Sequence, residues 1–67
     1  MTLFTLVRAL KLNNSEQIVL YSLTSQTETT IWTGDIAEIP IIYADSPILS
    51  NSVYSDNNGV IHAGLVV

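Results

Sequence analysis

Residues 2–12, TLFTLVRALKL, decide the fold, because the same side chains fit two different periods. Leu3, Leu6, Val7 and Leu10 fall at i, i+3, i+4 and i+7, the stripe of an amphipathic helix. Thr2, Phe4, Thr5 and Val7 lean towards β structure instead. A second β-prone stretch, QIVLYSLTS at 17–25, follows directly after the turn formers NNSE at 13–16. A strand at 17–25 needs a neighbour, and no capping pattern is evident to open a longer helix. The sequence therefore reads as a strand over 2–12 paired antiparallel with 17–25. With NNSE as the loop, Leu12 faces Gln17, Leu10 faces Val19, Arg8 faces Tyr21 and Leu6 faces Leu23. One face of that hairpin is strongly apolar. The other, with Leu3, Val7, Ala9, Ile18 and Leu20, is apolar enough that both faces call for cover.

Downstream, SQTETT at 25–30 is a polar turn, and Thr29 to Thr33 form a short strand whose largest side chain is Trp32. Over IWTGDIAEIPIIYAD, 31–45, Gly34 frees the chain to leave that strand. Asp35 followed by Glu38 matches an Asp form of the capping box. Pro40 and Pro47 disfavour helix at Ile39 and Ser46, so any helix between them is short, with Pro40 at N1 of a turn through Tyr43 and Ala44. In VYSDNNGVIHAGLVV, 53–67, Asn58-Gly59 predicts a hairpin, and a two-residue type I′ loop there or a four-residue loop over Asp56 to Gly59 gives the same parity. Ile61, Ala63, Leu65 and Val67 then share a core face with Tyr54, while Val60, His62, Gly64 and Val66 point the other way. The expected fold is mainly β: one domain over 1–67, a five-stranded curved antiparallel sheet or small barrel with one short helical crossover. An α+β arrangement is the alternative.

A 67-residue chain has little room for a pocket behind its core. It lacks cysteine, so disulfides and thiolate zinc sites are excluded. Arg8 and Lys11 are its only strong cations against six carboxylates, a formal charge of -4, which argues against nucleic acid as a partner. Those carboxylates are too scattered to mimic a run of phosphates. No basic residue precedes the apolar start, and no apolar run is long enough to span a bilayer, so a cytoplasmic location without membrane contact is expected.

No catalytic, cofactor or metal site is expected. Asp35 and Glu38 are two oxygen donors where calcium takes six to eight, and capping explains their spacing. DNNG at 56–59 lacks the rest of a calcium loop and suits a hairpin turn. His62 is the sole histidine, with no recognisable nucleophile elbow or triad order around it.

The chain is 48% hydrophobic and only 12% charged, which points to a surface meant to be covered. A non-enzymatic interaction or assembly module follows, self-associating as a homodimer or meeting another protein. Trp32, Tyr43, Tyr54, His62 and Val66 are the candidate interaction residues, although a domain with one tryptophan usually spends it on the core. Two rivals stand beside this reading: a small oligonucleotide-binding barrel that stacks bases on aromatics, and an enzyme whose site forms between subunits around His62.

Trp32, Gly34, Ile39, Pro40, Asp45, Val53 and Gly59, set in IWTGDIAEIP and the terminal NGVIHAGLVV, form a pattern that resembles small β-rich accessory proteins of bacteriophages and prophages. The resemblance covers the C-terminal half and carries no catalytic motif. It implies a context, an accessory role towards a phage or host protein, rather than an activity.

Overall fold

Thr2 opens a helix, not a strand. In the computed structural model, which describes residues 1–66, the Thr2 hydroxyl accepts a hydrogen bond from the Thr5 backbone N–H at 3.3 Å. Helix α1 then runs over Leu3–Ala9. Leu3, Leu6 and Val7 turn inward, each under 8% exposed. Leu10, the last member of the stripe, lies past the helix end and is exposed. The helix closes with a Schellman motif in which Lys11 takes a left-handed φ of 54°. Its N–H bonds to the Arg8 carbonyl and that of Leu12 to the Val7 carbonyl, both at 3.2 Å.

The strand expected over 2–12 is thus corrected, and magnitudes explain why. Burying three apolar side chains contributes about 1.5–3 kcal/mol each. The β leanings of Thr, Phe and Val amount to a fraction of a kcal/mol per residue. The strand's place was also taken. The strands are β1 (Gln17–Thr24), β2 (Thr27–Asp35), β3 (Ile48–Ser55) and β4 (Ile61–Leu65), in the spatial order β2-β1-β4-β3. β1 already has β2 antiparallel on one side and β4 parallel on the other.

The fold is mainly β, as expected, but the sheet is mixed and open, with β2 and β3 as its edges. Among the described residues the four named strands are accompanied by an isolated bridge between Thr2 and Pro47, and the parallel β1–β4 pairing departs from the all-antiparallel sheet expected. α1 and the crossover cover one face of the sheet, in a molecule 18 Å across its thinnest dimension. The core lies between these two layers: Leu3, Leu6, Val7 and Ile36 from the helical side against Ile18, Leu20, Ala63 and Leu65 from the sheet.

The crossover is a 3-10 turn over Ile36–Glu38 followed by one turn of helix, α2, over Ile41–Ala44. Asp35 occupies the N-cap position, yet its side chain makes no cap bond. The N–H groups of Ile36 and Ala37 donate instead to the carbonyls of Glu16 and Asn14, at 2.8 and 3.1 Å. Main-chain acceptors from the preceding loop therefore do what the capping box was expected to do. Pro40 precedes α2 as its N-cap, one position before the expected N1.

Both hairpins differ from their local signals. Ser25 and Gln26, with φ of 50° and 67°, make the two-residue turn between β1 and β2, where Thr24 pairs with Thr27. At the other hairpin only Gly59 has positive φ, 79°. The Asp56 N–H donates to the Val60 carbonyl at 3.0 Å and closes a loop over 57–59. An odd loop reverses the expected parity, so Tyr54 pairs with His62 and Val53 with Ala63. Ala63 and Leu65 are buried in the core as expected. Tyr54 is not with them: it shares the opposite, open face with His62. Val67, expected on the core face, lies outside the described residues.

Candidate functional site

The open face of the sheet gathers a chain of polar and aromatic side chains from β1, β2, β3 and β4. The Tyr54 and His62 rings stack with centroids 4.6 Å apart and planes 11° from parallel, because the register sets them opposite each other. His62 Nε2 lies 2.9 Å from Asp56 Oδ2. The other Asp56 oxygen accepts from the N–H groups of Asn58 and Val60, at 2.8 and 3.0 Å. At the far end, the Tyr54 hydroxyl donates to Glu28 Oε2 at 3.0 Å. Tyr21 approaches Tyr54 at 6.2 Å between centroids, and its hydroxyl donates to the Ser52 carbonyl. Ser52, itself buried, shares its one hydroxyl proton between the Leu49 and Gly64 carbonyls and so holds the irregular start of β3 against β4.

These contacts move three ionisable groups. The hydrogen bond from His62, followed by that from the Val60 N–H, holds the Asp56 carboxyl below its usual range. Desolvation raises the Tyr54 phenol, and donating to the Glu28 carboxylate favours its neutral form further. Desolvation also raises Tyr21, with the charge of Glu28 adding to it. Chemically, His62 and Asp56 are a base and its orienting carboxylate. Asp56, however, is spent on its own turn: one oxygen organises the loop and the other ties it to β4. This arrangement clasps a hairpin, and among the described residues no buried side-chain polar atom lacks a partner.

The other expected interaction residues are dispersed. Trp32 and Tyr43 pack partly buried against the core. The Trp32 ring lies over Gly34, where a Cβ would sit 2.9 Å from ring carbon Cζ2. Val66, half exposed, donates its N–H to the Pro47 carbonyl at 3.0 Å and stays apart from the Tyr54–His62 pair. Only Tyr54 and His62 are brought together.

Sequence reading missed a second feature on the opposite side of the molecule. A recess of about 500 Å³ lies between α1 and the crossover, lined by Phe4, Val7, Ile39 and Ile41 among others. Phe4 is 55% and Ile41 84% exposed, and the neighbouring Ile42 is 75% exposed. Arg8 and Lys11, the only strong cations of the chain, both line this recess. Among the described residues neither cation lies within salt-bridge distance of a carboxylate. The helical period of 2–12, which places Phe4 and Arg8 on one side of α1 with Lys11 just past its end, was the signal that could have revealed it.

No family model, curated protein or solved structure matches this chain.

Proposed function

We propose that this protein is a non-enzymatic interaction module that self-associates, with a homodimer as the simplest closed form. One observation carries the reading: Phe4 and Ile41, 55% and 84% exposed, line a recess on the helical layer, and Ile42, the next residue of α2, is 75% exposed. Large apolar side chains left exposed around a recess mark an interaction surface, since covering them recovers about 25 cal/mol per Å². The resemblance to phage and prophage accessory proteins supports a small cytoplasmic accessory role of this type.

Light scattering coupled to size-exclusion chromatography tests the reading over micromolar to near-millimolar protein. The expected mass is twice the 7.3 kDa of one chain at the upper end of that range. A single-chain mass throughout would overturn self-association.

A further inference from the structure

Two adjoining surfaces of the helical layer carry opposite charge. The first is the recess, apolar within and carrying Arg8 and Lys11, both exposed and unpaired among the described residues. The second is the ridge formed by α2 and its flanks, where Ile42 is 75% exposed and the exposed acidic residues Glu38 and Asp45 lie four positions before it and three after it. Asp45 follows Ile42 by three positions on a helical turn, so the two side chains lie on the same side of the ridge. One protomer therefore presents an apolar hollow with positive charge beside an apolar knob with negative charge.

We infer that the recess is a docking site for a second copy of this chain: the Ile42 knob of each protomer enters the recess of the other, and Asp45 and Glu38 meet Arg8 and Lys11. The inference deepens the proposed self-association by naming its surface. Two-fold symmetry requires a self-complementary patch, and recess and ridge adjoin because Ile41 and Ala44 of α2 also line the recess. Charge makes the docking selective. Copies that each carry a formal -4 repel in most orientations, whereas this one sets the only strong cations against opposite charge. It also buries Ile42, which otherwise stands in water.

Charge reversal tests the docking, with dissociation constants measured by sedimentation velocity on the full chain. Arg8→Glu with Lys11→Glu makes both recess and ridge acidic, and Glu38→Lys with Asp45→Lys makes both basic. Each double variant alone should associate at least about tenfold more weakly than the wild type. An equimolar mixture should recover heterodimer, because every contact again joins opposite signs. If the wild type dimerises while the folded variants keep its affinity, or if mixing restores nothing, the docking inference is overturned and self-association stands. A monomeric wild type overturns both. Should either double variant fail to fold, Lys11→Gly decides. Glycine suits the left-handed position, so that chain stays folded; weakened association then supports the docking, and unchanged association overturns it.

Discussion

On the covered face of the sheet, Leu20 is 0% exposed among aliphatic neighbours from α1 and the crossover; on the open face Tyr21, the next residue in the chain, is 3% exposed beneath no helix at all. The burial is nearly equal and the causes differ. Leu20 is hidden by a second layer of structure. Tyr21 is hidden by its own sheet, through Tyr54 beside it, the Ser52 carbonyl at its hydroxyl, and Gly64 opposite, where a side chain would collide with it. The first arrangement depends on apolar area, which accepts any side chain of similar volume. The second depends on a few close fits.

The largest effect that separates the faces is truncation in the covered layer. Leu20→Ala should cost about 2–5 kcal/mol by urea denaturation. That is comparable to the whole stability of so small a domain, about 0.05–0.15 kcal/mol per residue. Leu23→Ala, on the open face and 45% exposed, should stay within about 0.5 kcal/mol of wild type. Equal losses at the two positions would mean that the open face is covered as well.

Gly64→Ala comes next and tests the close fit. The added Cβ would meet Ser52 Cβ at 2.8 Å and Tyr21 Cε2 at 3.0 Å, so it should cost about 1–3 kcal/mol although it adds apolar volume. Tolerance of alanine would show that Tyr21 is free to move.

The smallest effect is one of pH. The folded pKa of Asp56 lies below its unfolded value, so its contribution to stability is present above the unfolded value of about 3.9 and lost as pH falls through the folded one. Melting temperature should therefore fall below about pH 4. Part of that fall should vanish in Asp56→Asn, whereas an identical acid limb in the variant would assign the transition to other carboxylates.

How far the sequence reveals this molecule depends on whether a feature is local. The strands at 17–25 and 29–33, the one-turn crossover held between Pro40 and Pro47, and the presence of the last hairpin are all legible, since composition and proline restrict them directly. The helical choice for 2–12 is not, because it turns on β4 occupying the free side of β1, a pairing across more than forty residues. Turn chemistry misled at both hairpins. Asn58-Gly59 suited a loop of two or four residues, but Asp56 bonding to Asn58 and Val60 favoured one of three. Ser25-Gln26 adopts the positive φ pair without glycine or asparagine. The parity error at Tyr54 followed from the first of these, and so did the failure to foresee the Tyr54–His62 stack. Arg8 and Lys11 were read only as a shortage of positive charge; seeing them as one site required α1 and the crossover to be side by side.

The proposed interface lies on the helical layer and leaves the open sheet face free. Amide NMR spectra recorded from micromolar to near-millimolar protein test this directly, residue by residue. Concentration-dependent shifts should concentrate in residues 4–11 and 38–45, with Val19, Tyr54 and His62 unchanged. Shifts centred on Tyr54 and His62, with α1 and α2 silent, would contradict it.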